Sequence, residues 1–399
     1  MKPKSGSLFG EDIESIVNSY RPSTKKPAFE KKEKKYQSAF ELPELIAKLP
    51  NFQVEKLNGA NLAALKGPGQ SSAEVYAYKN NFCCKTVSTF ANRVGYPLRD
   101  GDPIHDRYAI RVYSNRFFGA LSHGFRYVWN LDKLFLAAKK SCKEFTFQVS
   151  RNHKKLTTIH QFAQVMLQGF CNAHHKLIGY PLESGLHQGL STSMNGHLLI
   201  KVLDTDDQYK WFFLCCTIGG CHSFRYSAKT KTLTEITKPP KGTHPSHRSV
   251  GSIGVNEENK DAPDIGNLEF YWEFCDEDDF VFLLSDGAYC NYLPKYCGHT
   301  PKDFNISTDS WEDLGDQVAE INKKFIEDKL TTIINSANEN ELTAPLICKL
   351  ITDDCYNQTN NIRQFLVENP NTRPPKNSSF YAGIFAHVTV VCYKASNIP

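Results

Sequence analysis

The sequence predicts a layered α+β fold with antiparallel strand pairing, and three observations support this prediction. Strands and helices come in blocks: two strands, two helices, many strands, more helices and one last strand. The runs at 211–218 and 279–284 are almost entirely apolar, which indicates strands covered on both faces. No repeat of about 20–50 residues is visible, so the chain does not read as a repeat protein.

Each element is predicted from its own periodicity. Apolar residues that alternate or run together predict strands, and apolar residues three to four positions apart predict helices. The predicted strands are 108–113, 116–121, 197–203, 211–218, 223–227, 231–236, 268–274, 279–284 and 387–394. The predicted helices lie around 131–145, 159–177, 314–325, 344–352 and 360–367.

Composition and charge exclude several classes of protein. The 399 residues carry 47 basic and 43 acidic side chains, a net charge of +4, and 40% of them are hydrophobic. Residues 1–38 hold nine basic and five acidic side chains, so the rest of the chain is neutral. We therefore expect no nucleic-acid partner. No apolar stretch approaches about 18 residues, which predicts no membrane span. The N-terminus lacks an apolar signal segment, which predicts an intracellular protein, cytoplasmic or nuclear and not secreted.

The chain divides into three predicted parts. Residues 1–38 form a basic flexible tail, 39–78 a linker, and 79–396 the folded domain. The linker contains the sequence KGPGQSS at 66–72, whose glycines and proline interrupt regular structure. Within the tail, apolar residues are spaced for one helical face that could dock on the domain or on a partner: Phe9, Ile13, Ile16, Val17 and Tyr20.

The thirteen cysteines do not indicate a metal or disulfide framework. No C-x-x-C spacing occurs, and Cys83–Cys84 and Cys215–Cys216 are adjacent pairs. Neighbours on a strand point to opposite faces, so neither pair suits one metal ion or one ordinary disulfide. We expect reduced and mostly buried thiols.

Three short motifs have both a structural and a functional interpretation. Ser285-Asp286-Gly287 follows an apolar strand, where an aspartate could hold a cation or simply form a turn. The segment 218–222, IGGCH, lies between two strands and on its own indicates a hairpin turn. Asp106-Arg107-Tyr108 opens a strand and on its own indicates a salt-bridged strand start.

The order of these motifs resembles the metal-dependent PP2C (PPM-type) serine/threonine phosphatases, in a divergent PP2C-like branch. The segments that carry the resemblance are 101–124, 211–227, 248–268, 280–301 and 383–394, all in family order. The resemblance implies a PP2C-like α-β-β-α sandwich of two antiparallel sheets flanked by helix pairs. It also implies hydrolysis of phosphomonoesters by water held between two Mg²⁺ or Mn²⁺ ions, which several carboxylates bind.

Part of the implied metal site is retained in this sequence. Asp106 matches the acidic position before the first strand, and Asp286 matches the aspartate of the S-D-G motif. Gly124 matches the glycine of the bridging Asp-Gly pair. These three residues are the residual metal positions.

Other positions of the implied site are degenerate. His123 replaces the bridging aspartate, Ala386 the terminal aspartate, and Gly220 the aspartate of the family's G-D turn. Cys290 stands where an aspartate often follows S-D-G, and Arg99 is not at the spacing of the usual phosphate-binding arginine. An imidazole and a methyl group cannot replace the charge of the lost carboxylates.

The histidines admit two interpretations. His123, His222 and His387 fall at positions facing the implied metal centre, where they are either hydrogen-bonded residues of a vestigial cleft or ligands of a softer metal. His174 and His175, near a helix end, are expected on the surface.

The sequence therefore predicts a pseudophosphatase that acts as a protein-binding or scaffold module, with no catalytic residues and no cofactor. We expect its partner to be a protein, either phosphorylated or not. The first alternative is an active Mn²⁺- or Mg²⁺-dependent phosphatase with a site rebuilt from His123, Asp286 and Asp106. The second is an adaptor that binds through its N-terminal tail.

Overall fold

The computed structural model describes most of the chain beyond the tail. The described residues are 39–57, 59–69, 75–92, 99, 101–124, 131–179, 190–238, 251–255, 262–308, 310–315, 317–338, 341–369, 372 and 380–398. The predicted basic tail, 1–38, and its candidate docking helix lie outside them.

From Asp106 onward the helices and strands follow the predicted order of blocks, whereas the four strands described before Asp106 were not predicted. The helices are α1 (Pro43–Ala47), α2 (Leu131–Asn152), α3 (Ile159–Ile178), α4 (Asp286–Cys290), α5 (Gln317–Asn335), α6 (Ala344–Gln358) and α7 (Asn360–Glu368). Short 3₁₀ helices lie at Pro301–Phe304 and Trp311–Leu314. The strands are β1 (Gln53–Val54), β2 (Ala63–Gly67), β3 (Val75–Tyr78), β4 (Phe82–Ser88), β5 (Asp106–Tyr113), β6 (Arg116–Gly124), β7 (Ser191–Leu203), β8 (Tyr209–Ile218), β9 (His222–Ser227), β10 (Thr232–Glu235), β11 (Ile253–Gly254), β12 (Glu269–Cys275), β13 (Phe280–Leu284) and β14 (His387–Lys394).

The strands form two antiparallel sheets. The first sheet has the order β12-β8-β7-β6-β5-β2, with β1 and β11 also pairing with β7. The second sheet has the order β10-β9-β13-β14-β4-β3. The last strand, β14, lies between β13 and β4 in the second sheet, so the C-terminal end of the fold pairs with a strand from its N-terminal part.

Three layers of apolar side chains hold the sheets and helices together. Side chains such as Phe117, Phe213 and Val391 fill the space between the two sheets. A second layer joins the first sheet to α2 and α3, and a third joins the second sheet to α5 and α6. The architecture is an α-β-β-α sandwich, and the predicted PP2C-like fold class is confirmed.

The adjacent cysteine pairs follow the expected alternation. Cys215 packs between the sheets while Cys216 packs toward the helices of the first sheet. Cys84 packs between the sheets while Cys83 packs toward the helices of the second sheet. All thirteen cysteines are free, and only Cys290 and Cys297 are half-buried rather than buried.

The linker prediction for 39–78 is wrong in its described part. Phe40, Leu45 and Leu49 are buried in the layer beneath the first sheet, β2 pairs with β5, and β3 pairs with β4. These elements have two to five residues and lie at sheet edges or beside a helix. Their stability comes from pairing with longer neighbours, so their own sequence has too little periodicity to predict them.

The predicted surface position of His174 is also wrong. Its side chain is fully buried, and Nδ1 accepts a hydrogen bond of 3.0 Å from the backbone N–H of Gly254. None of the described helices is long and apolar enough to cross a membrane.

A buried hydrogen bond joins the two sheets through their shared core. His197 Nε2 on β7 lies 2.5 Å from the Tyr393 hydroxyl on β14, and both side chains are buried. Burial disfavours the imidazolium and lowers the pKa of His197 to about 3. His197 is therefore neutral in the folded protein at ordinary pH.

We predict that His197 contributes to acid destabilisation. The unfolded chain takes up a proton near pH 6.5 whereas folded His197 does not until about pH 3, so stability falls as the pH drops through this window. One such site costs about 2 kcal/mol of unfolding free energy between pH 7 and pH 5. Urea unfolding at both pH values should show a smaller loss in His197→Gln than in the wild type. His160→Gln, at a half-buried histidine, is the control, and an unchanged pH slope in His197→Gln would contradict the prediction.

Candidate functional site

The residual and degenerate metal positions converge at one end of the two sheets. Asp106 opens β5 and lies directly opposite His123 in the β5–β6 ladder. Asp286 opens α4, one residue after β13. The preceding Ser285 hydroxyl donates to the His387 carbonyl at 3.4 Å, which brings the start of β14 and neighbouring Ala386 to the same place.

The His123 imidazole lies between the two remaining carboxylates. Its Nδ1 is 2.6 Å from Asp106 Oδ1, and its Nε2 is 3.8 Å from Asp286 Oδ2. The Asp106 side chain is fully buried, whereas His123 and Asp286 are 14% and 15% exposed. The ring therefore takes the position between carboxylates that a bridging cation would need.

Two more histidines pack beside His123. The His105 ring centroid lies 5.1 Å from that of His123 and 4.4 Å from that of His387. His387 Nε2 donates to the Gly101 carbonyl at 2.9 Å, and burial lowers the pKa of His387 to about 4. Sequence reasoning placed His387 at the cleft but missed His105, although its position directly before Asp106 in the His-Asp pair was a usable signal.

Gly220 lies against the Asp286 carboxylate. A Cβ added at Gly220 would be 2.1 Å from Asp286 Oδ1, so any side chain there would displace that carboxylate. The half-buried Cys290 thiol donates to the same Oδ1 at 3.7 Å. Because position 220 has no side chain, the Asp286 carboxylate can lie directly against the backbone there.

Gly124 has a packing role that is independent of any metal. A Cβ at this position would lie 2.5 Å from the Leu134 carbonyl on α2. Its backbone N–H donates to the His105 carbonyl at 3.1 Å. The absence of a side chain lets the end of β6 pass directly beneath the helix.

His222 does not join the other histidines. Its Nδ1 lies 2.7 Å from Glu235 Oε1, and its ring stacks on Tyr289 with an interplanar angle of 4°. His222 and Glu235 are both buried. His222 is therefore a buried, hydrogen-bonded residue and not a cleft histidine. Its two partners, Glu235 and Tyr289, were not predicted from the sequence.

The residues present do not fit the two-ion site that the resemblance implies. Hard divalent cations prefer several carboxylate oxygens in near-octahedral geometry. Here the His123 ring lies between the only two carboxylates retained at the metal positions, Asp106 and Asp286. Among the described residues, no group of three or more His, Cys, Asp or Glu side chains has the arrangement of a metal site.

Comparisons with known proteins match this chain to solved phosphatases at low identity. A phosphatase from Toxoplasma gondii is 8% identical with a TM-score of 0.43, covering 84% of this chain and 97% of that one. The Mycobacterium tuberculosis serine/threonine phosphatase PstP/Ppp is 10% identical with a TM-score of 0.39, covering 79% of this chain and 100% of that one. Another PstP structure, of the catalytic domain with two manganese ions, is also 10% identical with a TM-score of 0.39, covering 79% and 99%.

No family model matches the chain, and the search of curated proteins found no match. The PP2C-like fold is defined by the two stacked antiparallel sheets and their outer helices.

We predict that His123→Phe destabilises the fold by about 2–3 kcal/mol. The substitution keeps an aromatic ring but leaves the fully buried Asp106 carboxylate without its hydrogen bond. Chemical denaturation at pH 7 measures the change. His299→Phe, at a more exposed histidine, should shift stability by less than about 0.5 kcal/mol. Equal stabilities of His123→Phe and the wild type would show that the His123–Asp106 contact does not stabilise the protein.

Proposed function

We propose that this protein is a PP2C-like pseudophosphatase, a binding or scaffold module that has lost metal-dependent hydrolysis. The observation that carries the proposal is the His123 imidazole between Asp106 and Asp286, within 2.6 Å of one carboxylate and 3.8 Å of the other. In the implied chemistry a carboxylate at position 123 would join two cations. The imidazole at this position supplies no carboxylate oxygen to a cation. Because its ring hydrogen-bonds one carboxylate and approaches the other, it also fills the space that a cation would occupy.

The other degenerate positions support the same proposal. Ala386 offers no oxygen ligand from its side chain, and the space above Gly220 is taken by Asp286. With two carboxylates at the metal positions, a pair of divalent ions would lack the charge that holds them together. The protein then keeps the sandwich, whose three apolar layers do not depend on a metal.

The exposed surface near the start of β14 supports a protein partner. Phe380 is 57% exposed and packs edge-on to Tyr381, whose ring in turn contacts Phe365 on α7. Exposed aromatic clusters of this kind are typical of protein-binding surfaces. The segment continues through Ile384, whose N–H donates to Asn291 Oδ1, to the candidate site at Ala386. We propose that the partner binds across this aromatic surface and the cleft beside it.

We predict that restoring two carboxylates restores metal binding. Wild-type protein should bind Mn²⁺ negligibly in calorimetric titrations, and His123→Asp or Ala386→Asp alone should change little, because a two-ion site assembles as a unit. The double variant should bind Mn²⁺ at least about tenfold more tightly, ~1.4 kcal/mol. Without metal it should lose about 1–2 kcal/mol of stability through carboxylate repulsion.

Hydrolysis distinguishes the proposal from the active alternative. Each protein is assayed on an aryl phosphate and on a phosphopeptide with Mn²⁺, Mg²⁺ and Zn²⁺. We expect no turnover by the wild type. Turnover by the double variant should be weak, because glycine still stands at position 220, where the implied site has an aspartate. Strong metal binding with turnover by the wild type would overturn the pseudophosphatase proposal. Negligible binding by both proteins would mean that the cleft has changed beyond these two positions.

We predict that partner capture depends on the folded domain and not on the tail. Full-length protein, a variant lacking residues 1–38, and Phe380→Ser with Tyr381→Ser are used as baits in cell extracts. The truncated protein should recover the same partner, and the double serine variant should lose it. Phosphatase treatment of the extract then tests whether the partner is recognised in its phosphorylated form. Loss of the partner on truncation would favour the tail adaptor.

A further inference from the structure

A lysine amine and a cysteine thiol are in contact beside the second sheet. Lys329 Nζ on α5 lies 3.4 Å from Cys297 Sγ, which follows α4 in the chain. Cys297 is half-buried, and the Lys329 side chain is 24% exposed. The two residues are 32 positions apart in the sequence, so a bond between them would close a loop around the 3₁₀ helices.

Neighbouring groups hold both reacting atoms in place. Gln358 Oε1 on α6 accepts from Lys329 Nζ at 2.6 Å and from Cys297 Sγ at 3.6 Å. The Cys297 thiol also donates to the Asn291 carbonyl at 3.4 Å. Asp354 Oδ2 lies 3.7 Å from Lys329 Nζ, which places a carboxylate beside the amine. The contact between sulfur and nitrogen is therefore part of a network supplied by three segments.

Electrostatics at the thiol act in two directions. Burial raises the pKa of the Cys297 thiol, and the nearby Lys329 ammonium partly opposes that rise. The thiolate is the form that reacts with oxidants, so burial slows oxidation of Cys297 and the Lys329 ammonium offsets part of that effect. Of the remaining cysteines only Cys290 is half-buried, and the others are buried away from solvent.

We propose that Cys297 and Lys329 are an oxidation-dependent cross-linking site, which forms a sulfenamide when a hydroperoxide reaches the thiol. In the first step the thiolate attacks the hydroperoxide, the O–O bond breaks, and Cys297 becomes a sulfenic acid while the peroxide is reduced to an alcohol or water. In the second step the deprotonated Lys329 amine attacks sulfur, an S–N bond forms, and the sulfenic oxygen leaves as water. The ammonium proton released beforehand passes to solvent, which reaches the partly exposed Lys329 side chain.

The cross-link would change the hydrogen bonds of residues that lie beside the candidate site. Asn291, whose carbonyl accepts from the free thiol, donates from Nδ2 to the Gly287 carbonyl at 2.8 Å and accepts from the Ile384 N–H at 2.9 Å. Formation of the S–N bond removes the thiol hydrogen bond to Asn291 and fixes the loop after α4 onto α5. Oxidation thereby changes the support of the Asp286–Gly287 turn and of the segment leading to Ala386. This inference does not depend on the proposed function, because the bond forms whether or not the cleft hydrolyses phosphate.

The test treats full-length protein with hydrogen peroxide and maps the product by peptide mass spectrometry under non-reducing conditions. We expect a peptide containing Cys297 joined to a peptide containing Lys329, with a mass equal to their sum less two hydrogens. Trypsin should no longer cleave after Lys329, and dithiothreitol should restore both peptides. Cys297→Ser and Lys329→Arg should each abolish the linked product, whereas Cys290→Ser and Lys323→Arg should keep it.

Other products would overturn the proposal. Burial, and to a smaller extent the nearby Cys297, raises the pKa of the Cys355 thiol, so a Cys297–Cys355 disulfide is the main competing product. Recovery of that disulfide, or of Cys297 as sulfinic acid with Lys329 still cleaved by trypsin, would contradict the assignment. Circular dichroism of each variant before oxidation shows that it is folded. A folded Cys297→Ser or Lys329→Arg protein that still gives the linked mass would also contradict the assignment.

Discussion

Face-to-face packing of two antiparallel sheets fixes where each side chain of the candidate site lies. Because both faces of the central strands are buried, a strand cannot shift by one residue without exchanging its inner and outer side chains. Cys215 between the sheets and Cys216 beneath the helices illustrate this constraint. The same register places Asp106 opposite His123 and holds both at the end of the sandwich.

The end of the sandwich concentrates polar groups that have little access to water. In a low-dielectric setting, two nearby carboxylates repel each other unless a cation or a hydrogen-bond donor separates them. The His123 ring supplies that separation from within the chain, with Nδ1 on Asp106 and Nε2 facing Asp286. This arrangement reduces the repulsion between Asp106 and Asp286 through a side chain of the protein itself.

Much of the fold was predictable because its long elements bury one face or both. Strands such as Tyr209–Ile218 and helices such as Ile159–Ile178 have enough apolar periodicity to be recognised, with errors of a few residues at their ends. The short edge strands before Phe82 were missed, because cross-strand pairing and not their own pattern stabilises them. For the site, motif order predicted that Asp106, His123 and Asp286 would meet. It could not predict that the imidazole would lie between the carboxylates, nor that His222 would bond to Glu235, since side-chain rotamers depend on neighbours from distant segments.

The contact between the Asp286 carboxylate and Gly220 also couples the backbone at position 220 to the candidate site. With Oδ1 only 2.1 Å from where a Cβ would stand, position 220 accepts a side chain only after Asp286 has turned away. A side chain at position 220 would therefore act on the site indirectly, by changing where the Asp286 carboxylate lies relative to the His123 ring.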